Sequence, residues 1–415
     1  MRTLGRALTA FALLAASCSS APGERTDAIV VGAVYPLSGS QGAGGIDEHR
    51  GVLLAAELAG ADGGRPIEVR SIDVETADAA PEAVAELDDQ GIDLVLGSYG
   101  STISAPASFT AAQRGMLFWE TGAVGMLGPS SDLGGLTFRV PPTGGVLGGA
   151  AVEYVDERIG PTVARGGNLR YAITFVDDVY GRSVALGAMD EIDRRGLTDV
   201  GHFGYDLASV DMRSLVRRIA AAKPDVLFVS AYLDDAIALR RELVRQAVPL
   251  VANIGTSSSY CMPEFGATLG RDAVGVYASD KPSATSIDPA GLLPDGAALL
   301  ERANGAYYER WDQDMSPAAL AGFSAAWALF TDVLPPAPTL SAADVAAAAR
   351  ASNLPRGSLP NGSGLRFGAQ DTASAGDNVA AASVIWEWVR PGEAAVIWPA
   401  AFATEAVDPT TVDAW

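Results

Sequence analysis

The chain of 415 residues alternates short apolar, β-branched runs with longer Ala-rich amphipathic runs, and it does so twice. That pattern is the signature of βαβ units, whose parallel strands need right-handed crossover helices. Ala28–Val34 is an unbroken apolar run, as a strand buried on both faces of a parallel sheet requires. The spacing then predicts a helix over 47–60, with acids early and Gly60 as its stop, and a strand over 67–72. A helix over 79–89, a strand over 93–97, a helix over 101–114 and strands over 116–119 and 137–140 complete the first series.

After Pro141–Gly145 the pattern restarts. Helices are predicted over 148–158, 181–195, 212–222 and 234–246, and strands over 171–176, 200–205, 225–230 and 250–254. Residues 295–351 read as helical, and the end as a hairpin of 383–389 and 394–398 turned by Pro391-Gly392. The expected fold is therefore α/β, with two doubly wound parallel-sheet halves. In such sheets ligands sit beyond the carboxyl ends of the strands, so two facing halves would enclose a cleft.

Composition removes whole classes of function. Lys plus Arg is 29 against 50 Asp plus Glu, a formal charge of −21, and no long basic cluster offers itself to nucleic acid. Lys223 and Lys281 are the only lysines and both precede Pro, so there is no phosphate-binding Gly-Lys-Ser/Thr loop. Two histidines (His49, His202) and two cysteines (Cys18, Cys261) make neither a zinc site nor a disulfide framework. Gly42–Gly45 lacks full dinucleotide spacing and reads as a loop approaching the cleft. No cofactor is implied.

Residues 1–17 read as an export signal: Arg2 and Arg6, then the apolar run Ala7–Ala16, too short to span a bilayer. Leu14-Ala15-Ala16-Ser17-Cys18 resembles a bacterial lipobox, which would place a lipid on Cys18; ordinary secretory cleavage nearby is the plainer alternative. Residues 18–27 read as a flexible tether. Cys261 is left without a partner and reads as a buried, inert thiol.

The candidate site lies at the strand ends. Ser98-Tyr99-Gly100-Ser101-Thr102 opens a helix with small hydroxyls and free N–H groups, suited to a carboxylate. Simple capping by Ser101 is the bland reading; the tyrosine and two glycines favour a ligand. Glu120-Thr121-Gly122-Ala123 puts a carboxylate where it could receive an ammonium, or pair with an arginine. Asp177 and Tyr180 follow another strand, Tyr232 a third, and Thr256 and Ser257 a fourth. Asp178, and Asp234 or Asp235, read as helix caps. No tuned base, no nucleophile with a partner and no metal cluster accompanies them, so the set reads as recognition chemistry.

Along nearly its whole mature length the chain resembles the type I periplasmic binding proteins, in particular the branched-chain amino-acid and amide binders of ABC importers. Val31–Gly39 (VGAVYPLSG), Ile92–Ser108 (IDLVLGSYGSTISAPAS), Ile173–Gly181 (ITFVDDVYG), Pro224–Tyr232 (PDVLFVSAY), Gly364–Phe367 and Val384–Pro399 carry the resemblance by their order and spacing. It implies two lobes joined by three crossovers: lobe one from 28–142 and 275–352, lobe two from 143–274 and 353–405, with a tail at 406–415. It implies that Ser98–Thr102 holds a ligand α-carboxylate, that the stretch Glu120–Ala123 supplies hydroxyl and carbonyl acceptors, and that Tyr180 and Tyr232 line the second lobe. The chain departs at Thr256 and Ser257, where amino-acid binders commonly place an acid for the ammonium, and at Glu120, where they often have Ser. The function implied is a lipid-anchored, monomeric binding protein that passes a small polar ligand to membrane permease subunits. A ligand-sensing surface receptor of the same fold and an exported α/β hydrolase are the alternatives.

Overall fold

The computed structural model describes residues 28–125, 130–163 and 168–404, so the stretch expected to be an export signal, Cys18 and the expected tail lie outside the described residues. The first lobe runs β1 (Ile29–Tyr35), α1 (Gly42–Ala61), β2 (Ile67–Asp73), α2 (Ala80–Asp89), β3 (Leu94–Gly97), α3 (Ser101–Gln113), β4 (Leu117–Glu120) and β5 (Thr137–Arg139). Its sheet has the order β2-β1-β3-β4-β5, every neighbour parallel. Strand direction alternates side chains between two faces. Val34, Val95 and Phe118 bury one way, against α2 and α3. Tyr35, Leu96 and Trp119 bury the other way, into the larger core that includes α1.

The second lobe runs α4 (Gly144–Tyr154), β6 (Arg170–Val176), α5 (Val179–Arg195), β7 (Thr198–Tyr205), α6 (Met212–Ala221), β8 (Val226–Ser230), α7 (Leu233–Arg245), β9 (Ala252–Thr256), α8 (Pro263–Leu269) and β10 (Tyr277–Asp280). The chain then returns to lobe one through α9 (Pro294–Trp311), α10 (Pro317–Ala328) and α11 (Ala342–Ala351), and ends in lobe two with the hairpin β11 (Val384–Arg390) and β12 (Glu393–Trp398). The sheet order is β12-β11-β10-β9-β8-β6-β7. Its parallel part, β7-β6-β8-β9-β10, repeats the first lobe's order strand for strand. β11 and β12 extend it antiparallel. In both lobes the outer strand, β2 or β7, is partly exposed, while the inner strands are buried.

Three crossovers join the lobes: β5 to α4, β10 to α9, and the irregular stretch 352–383. The last is pinned to the first, since Asn378 Nδ2 donates to Val140 O at 3.0 Å and Arg139 pairs with Asp377 at 3.5 Å. α10 packs on α1, which fixes the returning helices to lobe one.

Local chemistry sets the element ends. Asp178 caps α5 by accepting from the Gly181 N–H at 2.8 Å, and Gly196 ends that helix in the left-handed conformation. Three sequence expectations change. Gly42–Gly45 is not a loop but the first turn of α1. β10 and α8 were not foreseen, because four and seven residues are too few for periodicity to register. With β10 in the second sheet, the chain leaves lobe two only after Asp280.

Candidate ligand-binding cleft

Lobe one presents backbone. β3 stops at Gly97, and α3 starts at Ser101 with Gly100 as a cap that has no side chain to offer the first-turn N–H groups. The Ile103 and Ser104 N–H groups go to Gly100 O at 3.0 and 2.9 Å, and those of Ser101 and Thr102 stand before them at the positive end of the helix dipole. Ser101 Oγ accepts from the Gly125 N–H at 2.9 Å, which leaves its own proton to donate. Ser98 is buried beneath the loop, its hydroxyl donating to Gly100 O at 3.0 Å and sharing a 2.8 Å bond with Ser104 Oγ. Thr102 accepts from Gln41 Nε2 at 3.1 Å.

Glu120 neither faces a ligand nor pairs with an arginine as its main contact. Its carboxylate turns back under its own loop, accepting from the N–H groups of Gly122 at 2.9 Å, Ala123 at 2.7 Å and Ser98 at 3.3 Å. Burial pushes it up to about 7, against the pull of those donors and of Arg139. Beside it Tyr35 and Thr121 share a 2.6 Å bond, and Thr121 donates to Glu48 Oε1 at 2.7 Å. Burial also raises Glu48, to about 8, although Lys281 pulls the other way. These contacts make Ser98, Glu120, Thr121 and Ala123 a scaffold behind the cleft.

Lobe two presents side chains. Tyr180, from the first turn of α5, donates to the Ser257 carbonyl and lies 3.1 Å from Thr256 Oγ1. Its ring lies 5.3 Å from that of Tyr232, whose hydroxyl donates to Asp178 at 2.8 Å. Ser257 Oγ donates to Asp280, the last residue of β10. Lys281 follows, and its Nζ donates across to Gly122 O at 3.0 Å. Tyr99 likewise reaches from lobe one to Met262 Sδ at 3.7 Å, so the lobes touch across the cleft.

Between them is a narrow space of about 20 Å³. Tyr99, Gly100, Ser101, Tyr180, Tyr232 and Ser257 line it, as the strand-end reading expects. Asp177 does not: it is exposed and bound to Arg182 at 2.5 Å, which holds its carboxyl below the usual range. Thr256 lies behind the wall, against Tyr180. Gly122, within the stretch expected to supply carbonyl acceptors, lines the space with Ser258, whereas the sequence reading passed over Val124, Met262, Asp280 and Lys281; Cys261 stands buried in the same wall. Asp280 and Lys281 were missed with β10 itself; a lone lysine in so lysine-poor a chain was the available signal. Among the described residues no group of three or more His, Cys, Asp or Glu could hold a metal, and no helix is long and apolar enough to cross a membrane.

Two lobes of one doubly wound order, meeting at their strand ends around a small enclosed space, define a two-lobe binding protein of the α/β class. The chain belongs to the periplasmic binding protein family, whose sequence model matches residues 28–387. It is 28% identical over 346 residues to the Leu/Ile/Val-binding protein homolog 8 of Brucella abortus (strain 2308), spanning 81% of this chain and 83% of that one. Among solved structures, a leucine-binding protein of Thermotoga maritima superposes with a TM-score of 0.73 at 14% identity, covering 89% and 97% of the two chains. The isoleucine complex of the branched-chain amino-acid binding protein LivJ of Streptococcus pneumoniae gives 0.69 at 17% identity, covering 90% and 100%.

Proposed function

We propose that this chain is the extracytoplasmic solute-binding protein of an ABC importer. It captures a small polar ligand, of amino-acid or amide type, by closing two lobes on it, and hands it to the permease. A lipid on Cys18 holds it at the outer face of the cytoplasmic membrane, and it acts as a monomer without catalysis. The observation that carries this reading is the meeting of Ser101 at the α3 N-terminus with Tyr180 and Tyr232 around one enclosed space. A ligand touching both lobes favours the closed state by those differential contacts. The names of the curated relatives make leucine, isoleucine and valine the first ligands to try.

The test is a thermal-shift screen of purified protein against amino acids, amides, carboxylic acids and short peptides. A true ligand at a hundred times its Kd stabilises by about 2.7 kcal/mol. A screen in which nothing raises the melting temperature overturns the proposal.

A further inference from the structure

Lys281 is the group in the cleft that the solute-binding reading does not use. It is only 4% exposed, in a chain with one other lysine. An ammonium has three N–H donors. One goes to Gly122 O at 3.0 Å. The nearest carboxylate oxygen, on Asp280, is 3.9 Å away, beyond hydrogen-bond reach. Asp280 lines the same space, where its carboxylate takes the Ser257 hydroxyl and has the Cys261 thiol against it. Glu48 lies in the field of Lys281 as well, though burial pushes that carboxyl up to about 8. A buried cation with unused donors is costly unless an anion meets it.

The same geometry disfavours an ammonium on the ligand. The Gly122 carbonyl faces the cleft as an acceptor, but Lys281 already occupies it. An α-ammonium entering there would displace one cation or lie beside it. A carboxylate meets the reverse situation: two N–H groups of Lys281, the Ser101 hydroxyl and the first turn of α3 all donate around one space.

Room for the rest of the molecule lies next door. A second inter-lobe cavity of about 550 Å³ shares the wall formed by Cys261, Met262 and Pro317 and is faced by Trp386 and Trp388. These residues give part of it an apolar, aromatic face suited to a hydrocarbon body, while Asp47, Arg50, Glu264, Gln313 and Asp314 make another part of the lining polar.

We propose that the ligand is a small hydrophobic carboxylate without an α-ammonium group, its carboxylate held between Lys281 and the N-terminus of α3. This rests on the solute-binding reading and replaces its amino-acid or amide ligand with a deaminated acid. The experiment is calorimetric titration with matched probes on one carbon skeleton: L-leucine, L-leucinamide, 4-methyl-2-oxopentanoate and 4-methylpentanoate, with the phenylalanine, phenylpyruvate and 3-phenylpropanoate set beside them. The deaminated acids should bind at least tenfold tighter than the amino acid of the same skeleton. Lys281→Met should weaken them at least tenfold, and Lys281→Arg should lose less. Tighter binding of an amino acid or amide, or acid binding that survives Lys281→Met, overturns the inference and leaves the solute-binding reading standing. If no probe binds and the wider screen is also blank, both fall. The wild-type preference decides alone if Lys281→Met does not fold.

Discussion

The two edges of the cleft are built on the same strand order yet do different jobs. Lobe one offers N–H groups and a carbonyl, fixed from behind by Glu120 on three backbone donors and by Tyr35, Thr121 and Glu48. Lobe two offers the ends of side chains: Tyr180, Tyr232, Ser257, Asp280 and Lys281. Backbone donors are alike for every residue but proline, whereas side chains differ. On the proposed function, the common frame sets where a ligand sits, lobe one supplies the anion cradle, and lobe two carries the chemistry that selects among ligands.

The largest effect tests the common frame. In each lobe a glycine in the first helical turn rests on the end of the first strand. A Cβ on Gly45 of α1 would lie 2.0 Å from the Pro36 carbonyl oxygen, and one on Gly181 of α5 would lie 1.9 Å from that of Val176. Backbone cannot yield as a side chain can, so Gly45→Ala and Gly181→Ala should each destabilise by about 3 kcal/mol. Denaturant unfolding measures it. A large loss in one lobe and none in the other would break the equivalence.

Next is affinity. Ser101→Ala removes the acceptor of a buried Gly125 N–H and a donor to the ligand, and should weaken any ligand by about 1–3 kcal/mol. Tyr180→Phe removes the hydroxyl that donates to the Ser257 carbonyl, so its effect should appear in ligand selectivity as much as in affinity. Titration of both variants with the same ligand series separates the cradle from the selector. Equal, ligand-independent losses in both would contradict the division.

Much of the frame was legible in the sequence, and the reason is physical. β1, β3 and β8 are buried on both faces and so are continuous apolar runs, while α5 and α7 announce themselves by acids or caps at one end and arginines at the other. The positions after the strands followed from the fold rule. Which side chain turns inward did not follow, since Glu120 and Ser101 are both strand-end polar residues, and only the path of the loop sends one carboxylate beneath it. Asp280 and Lys281 were illegible for another reason: Tyr277–Asp280 is a strand only because β9 and β11 pair with it.

The pH dependence of stability should also divide by lobe. Burial raises Glu48 from 4.5 to about 8 and Glu120 from 4.5 to about 7 in lobe one, and Asp235 from 3.8 to about 6 in lobe two. A folded-state pKa above the unfolded one means that the folded chain keeps a proton the unfolded chain has released. Stability then falls as pH rises through that window. Between pH 6 and 8 the fall should come from lobe one. Glu48→Gln keeps an acceptor for Thr121 and should flatten the melting temperature over that range, whereas Asp235→Asn should act only below about pH 6. An unchanged slope in Glu48→Gln would move the titration elsewhere.

The smallest effect is expected where the strand-end reading pointed most plainly and the structure disagrees. Asp177 follows β6 directly, as Ser98 follows β3, yet it faces solvent and binds Arg182 five residues on. An exposed pair of this kind is screened by water and salt, and holding two long side chains together costs entropy. Asp177→Asn should therefore leave both the melting temperature and ligand affinity within experimental error, at low salt and at high. If it weakened binding, Asp177 would have to reach the ligand in a more open arrangement of the lobes, and lobe two would then contribute an anion to the cleft from the β6 end as well as from β10. Its silence would leave Lys281 as the charged group through which lobe two selects.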